Sequence, residues 1–219
     1  NAVEEGRRIY DNMKKFTNYL LSCNFGEVLI MFVALVIGFK VAGELAIPLL
    51  ATHLLWINLV TDGLPATALG NDDKAEGIMK RPPRKKREDI ITRNMLANII
   101  IVGSLLTLVV LYLFTRGLNE SLLKAQTLAF TALVMFELVR VYVIRKQYKI
   151  KTLNKFLIFA LASSIILQLL VVYTPLNVYF KTTPLSLIDW LYISIVGIIF
   201  LVLSLIAIYY IRKFTRQED

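Results

Sequence analysis

The chain has 219 residues, 57% of them apolar or aromatic, with a mean hydropathy of +0.62 and 25 Lys and Arg against 16 Asp and Glu, a net charge of +9. Soluble domains are roughly 45–50% apolar; the higher fraction, with basic residues lying between long apolar runs, excludes disorder, a secreted disulfide scaffold and a dedicated nucleic-acid-binding domain. A single cysteine, Cys23, permits no internal disulfide and no metal site built from cysteines alone.

Residues 1–20 place Ile9, Met13, Phe16 and Leu20 at i, i+4, i+7 and i+11, beside Arg7, Arg8, Lys14 and Lys15. This predicts an amphipathic helix running unbroken into the first apolar run. A helix standing out of a membrane needs something to pack against, and nothing in these 219 residues is expected to supply it. With no signal peptide and Asn1 as its first residue, the chain is expected to be a segment of a longer protein whose cytoplasmic bulk lies upstream.

Crossing the hydrocarbon core takes about 20 mostly apolar residues. Six runs qualify: 18–39, 47–66, 95–115, 125–144, 155–173 and 187–211. The second is the weakest, since it contains Asn58, Thr61, Asp62, Gly63 and Pro65. After it, Arg81 to Arg87 reads as a loop in which Pro82 and Pro83 stop any helix, with Asp72, Asp73 and Glu76 as a solvated face. Lys and Arg number 21 on the side of the N-terminus, Arg140 included, against 4 on the other side, Lys40, Arg116, Lys124 and Lys181. That bias places both termini in the cytoplasm and requires an even number of spans. The predicted fold is an all-α membrane protein: a stalk helix 1–17, two spans in 18–66, a cytoplasmic loop 67–94, four spans in 95–211 and a cytoplasmic tail 212–219.

Polar residues deep in a bilayer are costly and mark pathways or sites. Asn24 and Glu27 sit i, i+3 on one helical face, with Gly26 between them letting a neighbouring helix approach. Asn58 is i, i+3 from Thr61 and i, i+4 from Asp62, so an α-helix would point all three into one sector. Glu137 stands in the fourth span. The set offers only oxygen, which suits a hard cation such as Ca²⁺ and not a soft transition metal. Gly63 and Pro65 would break the helix just after Asp62, and interrupted helices at membrane depth often carry ion sites. The competing reading is that the amides and hydroxyl bond neighbouring helices and that the carboxylates pair with bases, although the first two spans hold no Lys or Arg at that depth. His53 and Gln168 read as hydrogen-bonding residues, and Cys23 as a small packing residue.

These residues also spell a familiar pattern. The stretch Val3-Glu4-Glu5-Gly6-Arg7-Arg8-Ile9-Tyr10 through Asn24-Phe25-Gly26-Glu27-Val28, then Leu54-Leu55-Trp56-Ile57-Asn58-Leu59-Val60-Thr61-Asp62-Gly63-Leu64-Pro65 and Ile78-Met79-Lys80-Arg81-Pro82-Pro83-Arg84, closely resembles P-type calcium-transporting ATPases of the sarco/endoplasmic-reticulum type. The resemblance is strong to about residue 95 and continues by span pattern afterwards. It implies that the six spans correspond to the fifth to tenth transmembrane helices of such a pump and residues 1–17 to its fifth-helix stalk. It further implies that Ca²⁺ is held by Asn24, Glu27, Asn58, Thr61, Asp62 and Glu137, with Asp62 shared between two sites. Sodium pumps carry an acidic residue in place of Asn58, and single-site calcium pumps lack the equivalent of Glu27, so the pair favours a two-site transporter.

The chain departs from the pattern in its loop acids, which do not align with Asp72 and Asp73, and in a short connection at 116–124 that suggests a prokaryotic pump. It contains neither the Asp-Lys-Thr-Gly-Thr phosphorylation motif nor the Pro-Glu-Gly-Leu motif, so no catalytic residue is expected here and ATP and Mg²⁺ would bind other domains of the same pump. The implied function is export of cytoplasmic Ca²⁺ with proton counter-transport, in a multi-pass protein of the cell membrane, or of an endomembrane in a eukaryote. The alternatives are a secondary cation/proton exchanger and a non-catalytic Ca²⁺-binding membrane module.

Overall fold

The computed structural model describes residues 2–80 and 90–215, apart from the side chains of Arg212, Phe214 and Thr215. The basic loop read at 81–87 and the end of the tail read at 212–219 lie outside the described residues.

Helix α1, Ala2–Ile37, is continuous over 36 residues. It ends at Gly38, whose φ of +69° suits a left-handed cap and whose N–H donates to Ala34 O at 3.0 Å. A minimal hairpin comes next, β1 (Lys40–Val41) with β2 (Glu44–Leu45). Both turn residues have positive φ, Ala42 at 52° and Gly43 at 87°, as a two-residue hairpin turn of this hand requires.

The second apolar run is not one regular helix. It divides into α2 (Ala51–Trp56), a π-helical turn (Ile57–Thr61) and α3 (Gly63–Gly70). The interruption therefore precedes Asp62 and does not come after it. Asp62 N–H reaches back five residues to Ile57 O at 2.8 Å, and Gly63 and Pro65 open the new helix, where proline's missing N–H costs nothing.

Side chains accept from backbone N–H groups to start the next three helices. Thr92 caps α4 (Arg93–Leu118), Ser121 caps α5 (Leu122–Gln147) and Asn154 caps α6 (Lys155–Tyr173). A short α7 (Asn177–Phe180) leads to α8 (Leu187–Thr215). Among the described residues, α1, α4, α5, α6 and α8 are long and apolar enough to cross a membrane. Helix α5 is the central one: 83% of its apolar window is buried, against 33–50% in the other four.

Helix α4 packs on α1, α5 and α8, while α3 lies between α1 and α6. Small residues allow the close approaches. A Cβ on Gly26 would lie 2.7 Å from Leu106 Cδ2, and one on Gly103 would collide with the ring of Phe25. The helix that Gly26 admits is thus α4.

Two expectations are corrected here. The N-terminal end of α1 does have a partner within the chain: Arg7 donates to Ile78 O at 2.8 Å, and Asn12 to Asp72 O at 2.8 Å. Asp72 is also no solvated acid but fully buried. Its carboxylate accepts from Lys15 Nζ at 3.1 Å, Arg145 Nε at 3.0 Å and Asn154 Nδ2 at 3.1 Å. It thereby joins α1, the segment after α3, the end of α5 and the start of α6. Asp73 and Glu76 are exposed, in keeping with a solvated face.

Candidate metal centre

The predicted ligands divide into two groups. Glu27, buried on α1, accepts from Asn58 Nδ2 at 2.7 Å through Oε2, while its Oε1 has no partner. Asn58 also donates to Leu54 O at 3.0 Å and is exposed, as is Asn24. This is the open group.

The inner group lies between α1, the break in the second run and α5. Asp62 is fully buried; its Oδ1 accepts from Tyr19 OH at 2.7 Å and its Oδ2 has no partner. Glu137 is 1% exposed and neither of its carboxylate oxygens has a partner. Ligand atoms of Cys23, Asp62 and Glu137 all lie within 4.8 Å of one another. Thr61 is buried nearby, its hydroxyl donating to Ile57 O at 3.1 Å.

The π-helical turn accounts for the division. An extra residue in one turn rotates the downstream helix relative to the upstream one. Asn58, inside the turn, meets Glu27, whereas Asp62, at its end, meets Tyr19. The single sector expected of Asn58, Thr61 and Asp62 is therefore not formed.

Four carboxylate oxygens, one on Glu27, one on Asp62 and two on Glu137, are buried and unsatisfied. A buried polar atom left without a partner costs on the order of 1–3 kcal/mol, more when charged. Unpartnered oxygens of this kind have a ready chemical reason in a hard cation, which takes six to eight oxygens.

Arg140 is the residue that the charge count misplaced. Counted with the cytoplasmic loop, it is instead 2% exposed inside the bundle, one turn along α5 from Glu137. The turn-to-turn spacing from Glu137 was the signal that could have found it. Its Nη2 donates to Asn18 Oδ1 at 3.3 Å, Ser22 Oγ at 3.1 Å and Asn98 Oδ1, drawing α1 and α4 onto α5. Its Nε and Nη1 have no partner. Tyr19 and Cys23 were also missed as neighbours of these carboxylates, although they stand eight and four residues before Glu27 and so share its helical face. His53 and Gln168 do hydrogen-bond, His53 Nε2 to Phe180 O at 2.7 Å and Gln168 Nε2 to Thr131 Oγ1 at 3.2 Å.

The family described as "Cation transporting ATPase, C-terminus" matches residues 46–213. The calcium-transporting ATPase of Bacillus subtilis (strain 168) is 38% identical over 199 residues, covering 87% of this chain and 22% of that protein. Calcium-transporting ATPase 1 of Bacillus cereus (strain ATCC 10987 / NRS 248) is 36% identical over 228 residues, covering 93% and 25%. The calcium-transporting ATPase type 2C member 1 of Homo sapiens is 31% identical over 201 residues, covering 88% and 21%. The chain thus spans between a fifth and a quarter of the length of these relatives.

Proposed function

The chain belongs to the family of cation-transporting ATPase C-termini, and from that premise we propose that it is the ion-carrying membrane part of an ATP-driven calcium pump. The observation that carries the reading is the set of four buried, unsatisfied carboxylate oxygens on Glu27, Asp62 and Glu137. No ion pair neutralises them among the described residues. A dication bound there would satisfy charge and lone pairs together.

In this reading the cargo ligands are Asn24, Glu27, Asn58, Thr61, Asp62 and Glu137. Other parts of the same pump complete the coordination and hold ATP and Mg²⁺. The broken second run, 47–66, is counted as a sixth crossing, which puts both termini and most of the Lys and Arg in the cytoplasm. The Asp72 ties then fasten the stalk 1–17 to the cytoplasmic ends of α5 and α6. Phosphorylation of the cytoplasmic domains moves the stalk, shifts Glu27 against Asp62 and lowers affinity, so that Ca²⁺ leaves on the outer face of the cell membrane. Protons that replace it on the emptied carboxylates provide the counter-transport.

The test is Asp62→Asn in the full-length pump. Ca²⁺-dependent phosphoenzyme formation from ATP is expected to be lost at Ca²⁺ concentrations that saturate the wild type. Unchanged Ca²⁺ dependence would sink the assignment.

A further inference from the structure

The all-oxygen ligand set leaves out one atom that the fold places among the carboxylates, the sulfur of Cys23. Cys23 is fully buried on the face of α1 that also bears Tyr19 and Glu27. Its Sγ and one oxygen each of Asp62 and Glu137 fall within 4.8 Å of one another. Three of the four carboxylate oxygens on those two residues have no hydrogen-bond partner. A cavity of about 10 Å³, bordered by Cys23, Ser22, Glu137 and Arg140, adjoins the group. That is about the room of one water or one small ion.

We propose that Cys23, Asp62 and Glu137 form a mixed sulfur–oxygen site that binds a soft divalent cation of the zinc and cadmium class, in competition with calcium. The proposal deepens the calcium-pump reading and rests on it for Asp62 and Glu137. Such ions take thiolate sulfur at about 2.3 Å and carboxylate oxygen at about 2.0–2.2 Å. Ligand atoms on one ion can therefore stand up to about 4.5 Å apart, so small side-chain rotations close the observed group on a metal. Calcium gains little from sulfur, whereas soft ions prefer it. Cys23 is thus a specificity residue: it leaves calcium affinity to the oxygens and adds affinity for thiophilic ions. The thiol proton leaves as the metal arrives, as metal ligation by cysteine requires.

The experiment uses the full-length pump and its Cys23→Ser variant, with two readouts. The first is phosphoenzyme formation from ATP, titrated separately with Ca²⁺ and with Cd²⁺. The second, which needs no ATP, is the ultraviolet thiolate-to-cadmium charge-transfer absorption, taken as the difference between wild type and variant. Cys23→Ser is expected to weaken Cd²⁺ by at least about tenfold, in line with the loss of a group that supports a metal. It should leave the Ca²⁺ titration little changed, which also shows that the variant folds, and abolish the difference band. A Cys23→Ser pump with wild-type Cd²⁺ affinity and no difference band overturns the sulfur ligand while leaving the calcium reading standing. If neither protein forms a Ca²⁺-dependent phosphoenzyme, the pump reading fails, and the difference band alone then decides whether Cys23 ligates. Should Cys23→Ser not fold, Cys23→Ala is read in the same way.

Discussion

Asp62 and Asp72 lie on one short segment, on either side of α3, and both are fully buried, yet their surroundings are opposite. Asp72 has two cationic partners, Lys15 and Arg145, the amide of Asn154, and the N–H of Asp73 at 3.1 Å. Asp62 has one phenol, that of Tyr19, and its other oxygen has no partner. Burial is the same in both, so burial does not separate a structural acid from a candidate ligand; the partners do. A carboxylate whose lone pairs are taken by protein cations holds elements together and has nothing left to offer a ligand. One kept away from protein cations is costly to the apo fold and strong toward an incoming ion. The titration of Asp72 obeys the same logic: burial alone would push its pKa up, but the Arg145 hydrogen bonds and the Lys15 charge outweigh it and hold the carboxyl below its usual range.

The largest effect expected from breaking this contrast is at the structural end. Asp72→Ala removes the counter-charge of a buried lysine and a mostly buried arginine, and breaking such an arrangement costs about 3–5 kcal/mol. Thermal unfolding of the detergent-solubilised full-length protein measures it. A loss under about 1 kcal/mol, the range of a surface ion pair, would remove Asp72 from its role as a tie. The next effect is at the proposed ion site. Arg140→Gln keeps an amide donor for Ser22 and Asn98 but deletes a positive charge one turn from Glu137. Affinity for a dication should rise about tenfold, equivalent to about 1.4 kcal/mol, in a Ca²⁺ titration of phosphoenzyme. A fall in affinity would mean that Arg140 positions Glu137 more than it repels the ion.

How far the sequence foretold this depended on the kind of signal. Long apolar runs and the stalk periodicity are local, and α1, α4, α5, α6 and α8 match them because a hydrocarbon-facing helix needs little beyond composition. Gly26 was legible as a point of close approach, but not that α4 would fill it, since helix neighbours are set by packing across the whole bundle. The six proposed ligands could be named from residue type and depth. Their separation into two groups could not, because it arises from one π-helical turn, and no residue type encodes such a turn as plainly as proline encodes a kink. Arg140 and Asp72 were misread for one reason: charge at the end of an apolar run looks solvated unless its partners, here on α1 and α4 or on α1, α5 and α6, are known.

A smaller effect separates stability from binding at Asp62. Asp62→Asn removes a buried charge that no protein cation compensates, so the stability of the ion-free protein should change by less than about 1 kcal/mol, even as Ca²⁺-dependent phosphorylation is lost. The same unfolding assay that registers Asp72→Ala checks this. A cost as large as that of Asp72→Ala would place Asp62 among the structural acids and erase the contrast.

The smallest expected effect is a null over a defined pH range, and its sign is set by the depressed pKa of Asp72. A carboxyl whose folded pKa lies below its unfolded value binds fewer protons when folded, so its stabilisation is full above the unfolded pKa, about 3.9 for aspartate, and is lost as pH falls through the folded one. The stability gap between wild type and Asp72→Asn should therefore stay flat from about pH 7 to about pH 5 and begin to close only as pH falls to about 4 and below. Unfolding temperatures of the two proteins across that range give the gap directly. A gap that closes already near neutral pH would mean that burial outweighs Lys15 and Arg145, and Asp72 would then resemble the acids of the proposed ion site.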